Sequence, residues 1–335
     1  MRRGFGFAAV ALGLVAALGL GEVAVRLAGG ETWSVQPDPS PDPFVRIREP
    51  DATLGWRNLP GRHATGDGWV TVLEDGSRRT SETPPEGAPE VWLMGGSFLY
   101  GQGLPDEQTL AWLLQARDPG RRYRNFGVSA YGTYQSLLLL EERLERQKAP
   151  ETVLYGLIEH HAVRNIGRAM WLRALTRQAS SVRPLLPYCS LDSEGRLVRH
   201  PAEAYPQTPL RDKLALVELL ERSWAKRRSD GREADQQRIT ELLIVEMAEL
   251  CRRRGIRFLL ALLQDGVAGA DTWELRAPRA NGLPFVDCRV PLTPERRVPI
   301  DNHPNAEVQR MWADCVAEGL ETGPPPKKSS ESEPE

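Results

Sequence analysis

The sequence predicts an α/β fold, a three-layer α/β/α sandwich built on a central parallel sheet of about five strands. Short apolar runs of strand length alternate with segments whose apolar residues recur at helical spacing. The first of these runs, Val91-Trp92-Leu93-Met94, ends in a glycine pair, Gly95-Gly96, and turns directly into helix-compatible sequence. At 335 residues the chain can bury a large core, with sequence to spare for additions to such a sandwich.

The elements follow in order. Met1-Arg2-Arg3 precedes an uncharged stretch from Gly4 to Gly21, rich in Ala, Leu, Val and Phe. About 17–20 such residues suffice to span a bilayer, and the leading arginines favour a cytoplasmic N-terminus. Glu22 and Arg26 follow directly, with no small-residue cleavage site, so residues 1–27 are read as an uncleaved signal-anchor with the rest of the chain outside the cytoplasm. Residues 28–43 form a linker that ends in the extended run Gln36–Pro43 (QPDPSPDP). Residues 44–89 read as a β-rich extension, with Trp69–Leu73 a strand and Glu74-Asp75-Gly76-Ser77 a turn.

The main domain is expected over 90–321. Its strands are Val91–Met94, Tyr123–Phe126, Thr152–Ile158, Ile256–Leu263 and Pro284–Cys288. Its helices are Asp106–Ala116, Thr133–Gln147 with leucines at 137–140 and 144, Asp235–Arg253 with Ile239, Leu242, Leu243 and Met247 on one face, and Asn305–Gly319. Residues 166–231 interrupt the alternation with one helix over Asp212–Arg227 and loops rich in Pro and Arg, an insertion placed either as a lid or as plain decoration. Residues 322–335 (ending GPPPKKSSESEPE) read as a disordered tail.

Composition excludes some functions. With 43 Lys and Arg against 45 Asp and Glu, the chain lacks the basic excess of a nucleic-acid binder. Cys189, Cys251, Cys288 and Cys315 are far apart and form no CxxC, so they are read as buried free thiols rather than metal ligands, with a disulfide left open that the sequence cannot assign. The clusters Lys226–Arg232 and Arg252–Arg254 read as solvated faces, and Trp33, Trp56, Trp69 and Trp273 as packing rather than a carbohydrate groove.

In a parallel sheet, sites lie beyond the carboxyl ends of the strands. Ser97 follows the first strand, Asn125 closes the second and Glu159–Asn165 follow the third, so all reach one edge. Gly95-Gly96-Ser97 allows a sharp strand-to-helix turn with the serine at the helix start, although a capping serine would look the same. It lacks the lysine of a phosphate loop and the spacing of a dinucleotide fingerprint. Asp301-Asn302-His303-Pro304-Asn305 places a carboxylate two residues before an imidazole that it can orient, and Pro304 pre-sets the turn into the last helix. A serine, a histidine and an aspartate so placed suggest acyl chemistry on an ester. A metal site of Glu159, His160 and His161 is disfavoured, because adjacent side chains point apart.

At these residues the chain resembles the SGNH, or GDSL-like, hydrolases, across roughly Val91–Gly319. Gly95-Gly96-Ser97 matches the first block with Gly96 in place of Asp. Asn125-Phe126-Gly127-Val128-Ser129-Ala130-Tyr131-Gly132-Thr133 matches the second, with Ala130 at the oxyanion glycine. Gly156-Leu157-Ile158 matches the third, with Ile158 in place of the oxyanion asparagine, and Asp301 and His303 match the last. The resemblance implies a flavodoxin-like SGNH fold and a serine esterase without metal or organic cofactor. Ser97 would be the nucleophile, His303 the base and Asp301 its orienting partner. The oxyanion hole would comprise the N–H groups of Ser97 and Ala130 with His161 or Asn165, and Gly96, Gly127 and Tyr131 would bind substrate. The substrate would be a small-molecule, polysaccharide or lipid ester. An O-acyltransferase acting on envelope carbohydrate and a catalytically impaired binding module remain open as alternatives.

Overall fold

The chain begins with helix α1 (Arg2–Leu27), followed by two antiparallel hairpins, β1 (Arg48–Asp51) with β2 (Gly55–Asn58) and β3 (Gly61–Thr65) with β4 (Gly68–Val72). The alternating part comprises β5 (Glu90–Gly95), α2 (Ser97–Tyr100), α3 (Leu110–Arg117), β6 (Arg122–Asn125), α4 (Thr133–Arg146), β7 (Thr152–Leu157) and α5 (His161–Asn165). An insertion of α6 (Ala169–Gln178), hairpin β8 (Leu185–Leu191) and β9 (Leu197–Ala204), and α7 (Ala215–Asp230) precedes α8 (Gln236–Arg253), β10 (Arg257–Leu262), α9 (Arg276–Ala280), β11 (Phe285–Asp287) and α10 (Ala306–Thr322). This computed structural model describes residues 2–36, 47–65, 68–178 and 183–322, and within α1 no side chain of 2–9 or of residue 11. Residues 37–43 of the expected linker and 323–335 of the expected tail lie outside the described residues.

The expected parallel five-stranded sheet is present, in the order β11-β10-β7-β5-β6. Counting only the sheet strands along the chain, this order is fifth, fourth, third, first, second. The chain passes from β5 to the edge strand β6 and returns across β5 to β7, which makes the β5/β7 boundary the topological switch point. Ser97 and His161 begin their helices just beyond the carboxyl ends of β5 and β7, the two strands that flank this boundary.

Alternation along each strand feeds two apolar layers. Trp92, Met94, Val153, Tyr155, Phe258, Leu260 and Leu262 pack with Leu137 and Leu140 of α4 and Leu243, Ile244 and Met247 of α8. Val91, Leu93, Leu154, Leu259 and Ala261 pack on the opposite face with Leu110 and Leu114 of α3 and Val308, Trp312 and Val316 of α10. Buried on both sides, these strands read in sequence as continuous apolar runs.

Several expectations are corrected. The helix placed at Asp106–Ala116 is a tight turn at Asp106–Gln108 followed by α3, because Thr109 is extended and its hydroxyl accepts from Trp112 N at 3.4 Å. The insertion, expected to be loop outside its one helix, contains the hairpin β8–β9. Its prolines, Pro187 and Pro201, and the half-exposed pattern of β9 hide it, and the register shifts at Pro187. Its buried residues, Leu186, Cys189, Tyr205 and Ala225, join the core layer on the α4 and α8 side. Cys288 and Cys315 are not free thiols: they form a disulfide joining the end of β11 to α10, with Cα atoms 5.8 Å apart, while Cys189 and Cys251 are buried and free.

For the bilayer-spanning segment expected at Gly4–Gly21, no helix of the described residues is long and apolar enough to cross a membrane. The last turns of α1 are held by protein: Glu22 accepts from Ala215 N at 3.0 Å and Leu216 N at 2.8 Å, capping α7.

Candidate active site

Ser97 opens α2 directly after β5 and is 2% exposed. The N-terminal extension holds this short helix in place. The guanidinium of Arg78, itself buried, donates to Tyr100 O (2.9 Å), Gly101 O (2.8 Å) and Leu104 O (2.5 Å), carbonyls at and just beyond the end of α2. Its Nε pairs with Asp106 at 2.9 Å, and Asp106 also accepts from Thr71 N at 2.9 Å. Gly101 leaves α2 at φ 81°, a left-handed turn that favours glycine.

His303 lies beside the nucleophile turn, with its ring edge-on to Phe98 and the centroids 5.7 Å apart. Its Nδ1 is hydrogen-bonded to Asp301 Oδ1, to which Gln102 Nε2 also donates at 3.4 Å. The loop is tightly wound: Asn302 N donates to Val298 O at 3.0 Å, Val298 N to His303 O at 2.7 Å, and Ile300 and Asn302 have φ of 71° and 62°. Gln309, fully buried on α10, then ties the histidine's helix to the serine's. Its Nε2 donates to Phe98 O at 2.9 Å and its Oε1 accepts from Leu110 N at 2.8 Å. Sequence reasoning missed both Arg78 and Gln309. Among the described residues neither Ser97 Oγ nor His303 Nε2 has a hydrogen-bond partner. An unengaged serine–histidine pair is common before substrate is bound.

Ala130 takes the conformation expected of a glycine. Its φ is 67°, and it is 7% exposed. For a residue with a Cβ this region costs about 1–2 kcal/mol, so the surroundings must impose it. The β1–β2 hairpin does so: Trp56 Nε1 donates to Ser129 O at 3.0 Å, and Asn58 Nδ2 to Gly127 O at 3.0 Å.

Three expected site residues have other duties. Tyr131 is fully buried, its hydroxyl donating to Trp56 O, and burial pushes its phenol far up, so its side chain braces the loop and does not face substrate. Gly127 is buried where a Cβ would lie 2.8 Å from Tyr100 N, so it permits close backbone packing. Asn165 has no free amide: Oδ1 accepts from Tyr134 N at 3.0 Å, and Nδ2 donates to Thr133 Oγ1 (3.1 Å) and Thr240 Oγ1 (2.9 Å). It caps α4 and is not an oxyanion donor.

Gly96 has a specific reason to be glycine. A Cβ there would stand 2.7 Å from His161 Nε2, 3.1 Å from Tyr131 O and 3.3 Å from an Arg164 guanidinium nitrogen. His161 is fully buried, with Nδ1 2.7 Å from Tyr155 Oη and Nε2 without a partner. Burial, and then the charge of Arg164, hold its pKa well below the usual histidine range. Arg164 donates to Tyr131 O at 2.8 Å and stacks over Trp171, and burial brings its guanidinium down to about 10. Among the described residues no carboxylate pairs with it. His160, by contrast, is exposed. Its pKa is lowered by partial desolvation, then by the charges of Arg164 and His303. The two neighbouring imidazoles thus diverge, and among the described residues no three His, Cys, Asp or Glu could hold a metal ion.

No family model matches the chain, and no curated protein matches it in sequence. Solved structures similar to it include a GDSL-like lipase from Bacteroides thetaiotaomicron (14% identity, TM-score 0.38, covering 70% of this chain and 88% of that one). A member of the lipolytic G-D-S-L family from Veillonella parvula is similar at 10% identity and a TM-score of 0.41, over 70% of this chain and 99% of that one. A psychrotrophic esterase from Pseudoalteromonas is similar at 11% identity and a TM-score of 0.40, over 70% and 97%. Likenesses this distant carry no functional argument, and the reading below rests on the side chains themselves.

Proposed function

We propose that the protein is a serine esterase that cleaves an ester through an acyl-enzyme on Ser97. One observation carries the reading: an Asp301–His303 pair, with the imidazole tautomer set by the carboxylate, stands beside the turn that presents Ser97. Ser97 Oγ attacks the carbonyl carbon as its proton passes to His303 Nε2. The tetrahedral intermediate collapses, and the leaving alkoxide takes that proton from His303. Water then gives its proton to His303, its oxygen attacks the acyl-serine, and the carboxylic acid departs as Ser97 is reprotonated. Acid–base assistance of this kind contributes ~10²–10⁴ in rate. The backbone N–H groups of Ser97 and Ala130 face the developing oxyanion. A sugar hydroxyl in place of water would make the same site an acyltransferase.

Labelling of the full chain with a fluorophosphonate tests the reading. Folded wild type should label and hydrolyse p-nitrophenyl esters, whereas Ser97→Ala should do neither. A folded wild type that takes no label overturns it.

The location we propose is outside the cytoplasm. The Cys288–Cys315 disulfide is at home in an oxidising compartment, and α1 leaves Val10, Leu12, Leu14, Val15, Leu18 and Leu20 exposed, apolar surface that suits a lipid environment. Recovery of the native protein in the cytosolic fraction with Cys288 and Cys315 open to alkylation would refute it.

A further inference from the structure

We propose that the outer face of α7 is a membrane contact of the folded domain: it lies on an anionic lipid surface beside α1 and holds the domain at a fixed attitude to the bilayer. The inference builds on the location reading above and does not depend on the chemistry at Ser97.

α7 is packed inside out. Its carboxylates Glu218 and Glu221 are buried, held by Arg173 at 2.5 Å and by Arg211 at 3.0 Å. Its large apolar side chains face outward instead: Leu220 is 57% and Trp224 51% exposed. A surface helix of a water-surrounded domain orders its residues the other way, leucines inward and carboxylates outward. Leu220, Trp224 and the exposed Arg227 recur at i, i+4 and i+7, so they share one face of the helix.

This face is tied rigidly to α1. Glu22 caps α7, and a Cβ on Gly21 would stand 3.1 Å from Leu216 Cδ2, so the two helices touch. Arg26 donates to Lys213 O at 3.0 Å, in the turn that leads into α7. Leu210 in that turn is exposed and held at φ 69°, a conformation that a residue with a Cβ rarely adopts. Beyond α1 the chain is strapped to the insertion. Trp33 N donates to Arg211 O at 2.9 Å and Gln36 N to Arg177 O at 2.8 Å. The Trp33 ring stacks on Tyr205, with the Arg211 guanidinium 3.8 Å from its centre. Residues 28–36 are therefore bound to the domain and do not act as a free spacer. A lipid surface that takes the exposed Leu20, Val23 and Leu27 of α1 is brought up to α7.

The charges identify the partner. From Arg222 to Arg232 the chain carries five cations against one anion, Asp230. Lys226 pairs with that aspartate, whereas among the described residues neither Arg222 nor Arg227 has a carboxylate partner. The cluster read from sequence as a solvated face thus adjoins an exposed tryptophan and leucine. Leucine and tryptophan flanked by cations are the composition of helices that lie in the headgroup layer, where the cations meet lipid phosphates. A second copy of the chain fits this face poorly. Two-fold pairing would set Arg227 near its own copy, with only Leu220 and Trp224 from each chain as large apolar side chains on α7 to hold the contact.

Spin labels on the full-length chain in vesicles of phosphatidylcholine and phosphatidylglycerol test this. Cys189 and Cys251 are buried, so labelling is confined to introduced cysteines. On protein that floats with the vesicles, a nitroxide at Leu220→Cys should be relaxed by oxygen and shielded from a water-soluble nickel chelate. One at Glu145→Cys, exposed on α4, should stay open to nickel. Arg222→Glu with Arg227→Glu should lower the ratio of shielded to open probe at 220 by at least about 25-fold, because each cation at an anionic surface contributes about fivefold. In unlabelled wild type, brominated lipid should quench a share of the tryptophan emission that Trp224→Phe lacks. A probe at 220 as open to nickel as the one at 145, on floated protein, overturns the proposal and leaves the location reading standing. Equal quenching of wild type and Trp224→Phe overturns it without any label. Shielding that survives the charge reversal overturns the anionic-lipid assignment, and shielding with spin–spin broadening assigns the face to a second copy. A chain that does not float removes this proposal together with the lipid contact of α1, and none of these outcomes bears on labelling at Ser97.

Discussion

Two side chains show how locally this site is specified. Ala130 holds φ 67° without being glycine, because Trp56 and Asn58 fix the Ser129 and Gly127 carbonyls in the turn just before it. Ala130→Gly should therefore raise stability by up to about 1 kcal/mol in urea unfolding with activity retained, and a loss of stability would show that the strain estimate is wrong. His161 has a folded-state pKa depressed by burial, by Arg164 and by His160, and it faces Tyr155, which is neutral. Below pH ~6.5 the unfolded chain takes up a proton that the folded chain refuses. The contribution to stability is thus complete above pH ~6.5 and is lost as pH falls toward the folded pKa, by at most about 1.4 kcal/mol per unit. Wild type should lose up to about 2 kcal/mol more than His161→Gln between pH 7 and pH 5, by urea midpoints at each pH. Equal losses in the two proteins would contradict that account.

The elements matter through what ties them together. α2 has only four residues, too few to be stable alone, and borrows its rigidity from Arg78 at its carboxyl end and from Gln309 on α10. Arg78→Met removes one partner of a buried ion pair and leaves both Asp106 and three carbonyls short of a donor. Thermal or urea unfolding should show a loss of about 3–5 kcal/mol, and a change under 1 kcal/mol would mean that Arg78 does not hold the turn. The five sheet strands and the helices α4, α8 and α10 were legible in the sequence, because a strand buried on both faces must be apolar throughout and a helix packed on one face must repeat its apolar residues. The hairpin β8–β9 carries neither signal, since one strand is half exposed and both contain proline. Arg78 and Gln309 were invisible for a related reason: a buried polar side chain looks like a surface one until its partners, here up to 211 residues away, are in place.

Across the whole molecule, the disulfide closes the far edge of the sheet onto α10, the helix that follows His303. Cys288 and Cys315 are 27 residues apart, which corresponds to about 3.5 kcal/mol of loop-closure stabilisation. Reduction, or the paired change Cys288→Ser and Cys315→Ser, should lower stability by that order and lower the melting temperature. An unchanged melting temperature under reductant would show that the link does not constrain the fold. Sequence by itself determined the sheet, its layers, and the candidacy of Ser97, Asp301 and His303, because each is written in a local pattern of apolar runs, glycine turns and short polar spacing. Tertiary structure alone decided the pairing of Cys288 with Cys315 and the structural roles of Tyr131, Gly127 and Asn165. Those outcomes turn on which polar atoms find partners after the chain is packed. An amide that caps a helix and a buried imidazole nitrogen left without a partner look alike in a sequence, and only the finished hydrogen-bond network tells them apart.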